Sequence, residues 1–277
     1  MTERTPSSPD APADAYAVYV YAVCRAEDPP PLAGPEGVTS ESPLRALALG
    51  SALTAVVQTV RAADFTDAAW QERLADEPEL ERYARAHHQV VCAVAARCPT
   101  VPLPLATLYH DEQRARLALD KEAERFHAAL RRTANHSEWG VKVYVPGAPA
   151  PARAPAVRPP GASPAVRTAP APGAGRAYLD RKRNLRNQRE RDQEDGVRIA
   201  DAVDADVSGL ASASRRLPPH GLRVPDDRRT QVLNATYLVA EDRAAELARL
   251  TRTLQERTGA QIELSGPWVP YSFVGEV

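Results

Sequence analysis

Hydrophobic and polar positions fall into two patterned blocks separated by a stretch with no pattern at all. From Tyr16 to Cys24 apolar residues occupy both parities, which suits a strand covered on both faces in the middle of a sheet. Residues 44–49 and 53–60 read as two more strands, with Gly50-Ser51 as the hairpin turn between them. Helical territory opens at Asp67. From Leu80 onward, Tyr83, His87, Val90, Val94 and Cys98 recur at three and four residues and form one helix face. Residues 101–107 must be an edge strand or extended connector, because Pro102 and Pro104 cannot donate to a ladder. Asp111 then starts a helix with the stripe Leu119, Ala123, Phe126 and Leu130, and Arg131-Arg132 sit where cations suit the helix dipole. Residues 139–145 alternate, with Val141, Val143 and Val145 on one face.

The unpatterned stretch, residues 146–175, is almost wholly Ala, Pro, Gly and Arg and cannot bury enough apolar surface to offset chain entropy. Beyond it, residues 177–217 carry sparse apolar positions and predict one long helix, or two broken at Gly196. A loop over 218–229, a strand over 231–240 and a helix after Asp242 follow, with Gly259 placed as its C-cap. Ile262 and Leu264 alternate with polar neighbours in a last strand, which Gly266-Pro267 should stop. Pro267 and Pro270 stiffen the tail that follows. Trp268, Tyr271 and Phe273 are three of only fifteen aromatic residues, so a tail folded onto its own domain would carry a large share of the aromatic burial. The same three residues are the candidates for binding a partner.

These elements predict a two-domain α+β protein. Residues 1–13 form a mobile tail and 14–145 a modified ferredoxin-like domain, an antiparallel sheet with helices on one face. Residues 146–175 are a linker, and 176–277 an α+β domain with a long helix, a strand-helix-strand unit and the aromatic tail.

Charge changes this picture little. Acidic and basic residues number 36 and 35, giving no global field to draw in nucleic acid or an anionic membrane. Residues 176–191 hold seven basic side chains against Asp180 and Glu190, but no aromatic residues are interleaved below Tyr178 to stack on bases, and a solvated helix face is the simpler reading. Cys24, Cys92 and Cys98 make an odd count without framework spacing, and neither a signal peptide nor a membrane-length apolar run is present. The expectation is a soluble cytoplasmic protein. No zincin helix, paired Cys-x-x-Cys, nucleophile elbow or phosphate-binding glycine loop occurs. His87, His88, Cys92 and Cys98 lie along one helix, but structural zinc sites need three or four clustered ligands, so no metal, cofactor or catalytic residue is assigned.

The words Ser-Gly-Pro-Trp-Val-Pro-Tyr-Ser-Phe, residues 265–273, resemble the closing signature of the gas vesicle protein family GvpL/GvpF, with Val269 in place of its first proline. The run from Glu138 to Tyr144 and the Arg-Ala-Tyr-Leu at 176–179 are similar to other parts of that family. Its central signature, Pro-Leu-Arg-Phe-Gly-Thr after a helix carrying a histidine, matches residues 102–107 with His87 upstream. Pro104, Leu105 and Ala106 stand where the family has arginine, an aromatic and glycine. The resemblance implies a non-enzymatic accessory or minor structural component of gas vesicle assembly, located at the vesicle and in the cytoplasm. Its implied partners are the small hydrophobic shell protein and other gas vesicle accessory proteins, with no nucleic acid, membrane or small-molecule substrate. The competing reading is a ferredoxin-like regulatory or RNA-binding module.

Overall fold

The structure, a computed structural model, describes residues 15–25, 32, 34–146, 174–218 and 229–275, with side chains of the long helix from residue 182. The expected tail at 1–13, nearly all of the linker at 146–175 and most of the loop at 218–229 lie outside these residues. The described chain is α+β with two antiparallel-rich sheets, and it divides into two compact units, Met1–Glu138 with Pro267–Val277, and Trp139–Gly266.

In the first unit β1 (Tyr16–Cys24) lies between β3 (Thr54–Arg61) and the short strands β4 (Thr100–Pro102) and β5 (Leu108–Tyr109), and β2 (Leu44–Ala48) adds an edge beyond β3. All these pairings are antiparallel. The register of β1 against β3 shifts between Val20 and Ala22, a bulge that turns Tyr21 and Ala22 to the same side. Val18, Val20 and Val23 therefore face α3 (Glu112–Lys121) and α4 (Ala123–Thr133), packing with Ala115, Leu119, Phe126 and Leu130. Tyr19, Tyr21 and Cys24 face α2 (Glu77–Ala95), with Tyr83, Val90 and Val94. Helices thus cover both faces of this sheet and not one alone, the arrangement that the two-parity pattern of β1 requires.

Local chemistry sets the helix ends. Asp76 separates α1 (Asp67–Ala75) from α2 and accepts the Glu79 N–H at 3.2 Å, with Pro78 in the first turn where its missing donor costs nothing. Asp111 does the same for α3 through Arg114 N at 2.7 Å. The stripe from Leu119 to Leu130 is one surface on two helices, because the chain breaks at Glu122.

In the second unit the sheet runs β7 (Ala213–Arg216), β8 (Arg229–Ala240), β6 (His136–Pro146), β9 (Gln261–Trp268). This corrects the domain boundaries: the strand expected at 139–145 to complete the first sheet is central to the second. Period-2 alternation specifies a strand with two distinct faces but is silent about its neighbours. Two further expectations change. The helix α5 (Ala174–Ser208) runs unbroken through Gly196 and stops short of the edge strand β7, where helix was expected to 217. A Cβ at Gly196 would lie 2.9 Å from Val232 Cγ1, so this glycine permits close packing and does not mark a break. At the other end β9 continues through Gly266 and Pro267, which an edge strand tolerates. α6 (Ala244–Thr258) ends at Gly259 with φ 67°, as its sequence predicts. Val203, Val207, Tyr237, Leu247 and Leu254 join Val141 and Val143 in this core.

Candidate partner-binding site

The C-terminal tail belongs to the first unit and not, as expected, to the second. It leaves β9 at Trp268 and closes a 3-10 turn over Tyr271–Phe273 through Tyr271 N–H to Val269 O at 2.8 Å and Phe273 N–H to Pro270 O at 3.3 Å. Pro270 is preset for that bend. Two polar clamps hold it. Glu138, 7% exposed, accepts the Ser272 N–H on Oε2 at 2.8 Å and the Ser272 hydroxyl on Oε1 at 2.6 Å. Arg132 donates from Nε to Phe273 O at 3.0 Å and from Nη2 to Gly275 O at 3.4 Å. Phe273 and Val274 are buried, and Val274 enters the core of β1, α3 and α4. Val269 packs on the other cluster, that of β1 and α2.

Anchoring these tail residues leaves two aromatic side chains outward: Trp268 is 51% and Tyr271 37% exposed. His88 of α2 stands beside both, its ring centroid 6.1 Å from that of Trp268 and 5.9 Å from that of Tyr271. Its Nδ1 is 3.4 Å from the Tyr271 hydroxyl and its Nε2 is 3.3 Å from Cys92 Sγ. Burial raises the pKa of both the Cys92 thiol and the Tyr271 phenol, so each is a neutral hydrogen-bonding group and not a nucleophile. Of the three candidate residues, then, Trp268 and Tyr271 form a surface, and Phe273 is withdrawn from it as the anchor. Glu138 opens a run similar to part of the GvpL/GvpF family, but nothing in the sequence marked it as the tail's clamp, which depends on the chain's return across more than a hundred residues.

His87 has the opposite fate. Its Nε2–H donates to Leu103 O at 3.1 Å, which leaves Nδ1 to accept the Tyr19 hydroxyl at 2.9 Å, and Tyr19 in turn accepts the Ala106 N–H at 3.1 Å. Desolvation lowers the His87 pKa from 6.5 to about 4, against the opposing pull of Leu103 O. Beside it, Tyr21 donates to Gln58 Oε1, which also accepts the Val38 N–H at 3.1 Å, while Gln58 Nε2 reaches the carbonyls of Glu36, Thr39 and Ser42, each at 2.8 Å. This network is saturated from within and positions residues 36–42 and 103–106. Among the described residues no three His, Cys, Asp or Glu side chains converge as metal ligands, and no helix is long and apolar enough to cross a membrane.

The segment that His87 and Tyr19 hold, residues 102–107, and the clamped tail are where the family resemblance lay. Residues 17–275 match the family described as gas vesicle synthesis protein GvpL/GvpF. The chain belongs to the GvpL/GvpF family. It is 35% identical over 261 residues to gas vesicle protein L of Streptomyces sp. (strain CB03234), covering 93% of this chain and 92% of that protein. Its fold is similar to the crystal structure of GvpF from Anabaena sp. PCC7120, with a TM-score of 0.62, 12% identity and coverage of 95% and 97% of the two chains. GvpF from Microcystis aeruginosa is also similar, with a TM-score of 0.58, 11% identity and coverage of 94% and 99%. Against the GvpL/GvpF pattern, Ala106 takes the place of glycine at φ 61°, a left-handed conformation that a Cβ disfavours.

Proposed function

We propose that this GvpL/GvpF protein is a non-enzymatic accessory or minor structural component of gas vesicle assembly, which binds the small hydrophobic shell protein through Trp268 and Tyr271. One observation carries the reading: two large aromatic side chains stay exposed on a segment whose backbone is fixed by Glu138, Arg132 and a buried Phe273. A rigid aromatic pair loses little conformational entropy on docking and fits an apolar partner. Other gas vesicle accessory proteins are further partners on the same reading, at the vesicle and in the cytoplasm.

The RNA-binding alternative loses its platform. A ferredoxin-like module of that kind stacks bases on exposed sheet aromatics, whereas Tyr19 and Tyr21 are fully buried and helices cover both sheet faces. The saturation of His87, Tyr19 and Gln58 by internal partners likewise favours a structural use of these polar groups over catalysis.

The test is co-purification of the tagged full-length chain from cells that make gas vesicles. Shell protein should be the retained component. Retention of RNA or a small molecule in its place would overturn the assignment.

A further inference from the structure

From Lys182 to Asp195 every side chain of α5 is exposed except the half-exposed Asp192, and packing begins only at Gly196. Two turns or more of this helix therefore have no tertiary support within the described chain, although isolated helices are marginal in water. The charges along it are segregated. Lys182, Arg183, Arg186, Arg189 and Arg191 stand against Glu190 up to residue 191, whereas Asp192, Glu194, Asp195, Asp201, Asp204 and Asp206 stand against Arg198 from residue 192 onward.

The two halves are also unequally satisfied. Among the described residues Lys182, Arg183, Arg189 and Arg191 have no ion-pair partner, and Arg186 has only Glu190 of its own helix at 2.9 Å. In the acidic half Asp201 and Asp204 share one guanidinium, that of Arg216, each at 2.8 Å, which leaves one carboxylate charge unmatched. Residues 183, 186, 190, 194, 197, 201 and 204 follow three- and four-residue steps and so lie on one face. On that face Val197 is 54% exposed.

We propose that α5 is a self-association surface, its basic half docking antiparallel on the acidic half of α5 in a second copy of this chain. A two-fold axis between Gln193 and Glu194 sets Arg186 opposite the exposed Asp201 of the partner copy, and symmetry makes that pair twice. Arg183 comes opposite Asp204, which is half-buried with its oxygens engaged by Tyr237 and Arg216 and so contributes its charge and not a new bond. The paired face runs for roughly 30 Å, and Val197 lies next to the axis, where the stem of Glu190 from the second helix covers it. The inference is independent of the shell-protein reading, since it concerns the other unit of the chain. A second copy is favoured over nucleic acid because the complementary charge is on the same helix and no aromatic residue lies between Lys182 and Val207 to stack on bases. Exposed ion pairs contribute little each and are screened, so the dimer is weak and salt-sensitive.

Sedimentation of the full-length chain at low and at raised ionic strength tests this. The wild type should dimerise at low salt and dissociate as salt rises. Arg183→Glu with Arg186→Glu should weaken the dimer by about tenfold or more, and Arg186→Glu with Asp201→Arg should restore it, because reversing both partners regenerates the pair. Both variants change exposed positions, and unchanged melting will establish that they fold. A chain that stays monomeric at low salt overturns the proposal, as does a dimer indifferent to the reversals. So does assembly seen only with co-sedimenting nucleic acid.

Discussion

Ser272 gives both its backbone N–H and its hydroxyl to the two carboxylate oxygens of Glu138, at 2.8 and 2.6 Å, and so ties the C-terminal tail to the end of the first unit's long sequence block. Glu138 is buried, so removing it leaves two donors unpaired and a small void. Glu138→Ala should cost about 1 to 3 kcal/mol and speed hydrogen exchange at residues 271–274. Unchanged exchange there would mean that the tail is held without the clamp.

The two aromatic ends of the tail should respond very differently to truncation. Phe273 is buried and its removal should cost about 3 to 5 kcal/mol, unfolding or strongly destabilising the first unit. Trp268 is half exposed, and Trp268→Ala should cost about 1 kcal/mol or less. Chemical denaturation of both variants checks the order; a Trp268→Ala loss as large as that of Phe273→Ala would contradict the placement.

Ala106 sits at φ 61° with its N–H bonded to Tyr19. Glycine reaches this conformation without the Cβ penalty, so Ala106→Gly should stabilise the chain by about 1 kcal/mol. A fall in melting temperature would show that backbone freedom in the unfolded chain outweighs the relieved strain.

His87 is neutral in the folded protein and its pKa is depressed from 6.5 to about 4. Between these values the unfolded chain binds the extra proton, so the stability tied to neutral His87 is complete above 6.5 and is lost as pH falls towards 4. The loss is bounded at roughly 3 kcal/mol. His87→Gln keeps a donor for Leu103 O and should flatten the change in stability between neutral and mildly acidic pH. An equal slope in both proteins would assign that dependence to other groups.

Much of the fold was legible because its signals are local. The two-parity run of β1, the caps at Asp111 and Gly259 and the alternation of Ile262 and Leu264 each specify an element within a few residues. Pairing was not legible, since Val141 and Val143 would look the same in either sheet. Nor was the destination of the tail, which depends on Glu138, Arg132 and Val274 meeting at long range. Gly196 left one helix or two open for a related reason: its helix cost is local, while the contact with Val232 that explains it is tertiary. In the candidate site the aromatic word drew attention to the tail, but only burial in the folded chain separates Phe273 as anchor from the exposed Trp268 and Tyr271.

The proposed recognition of the shell protein rests on that exposed pair. The most direct measurement is the affinity of purified full-length chain for the shell protein, wild type against Trp268→Ala with Tyr271→Ala, with thermal unfolding followed in parallel. We predict at least about a tenfold loss of affinity in a variant that still unfolds cooperatively near the wild-type temperature. Undiminished binding by that folded variant would contradict the claim that this surface recognises the shell protein.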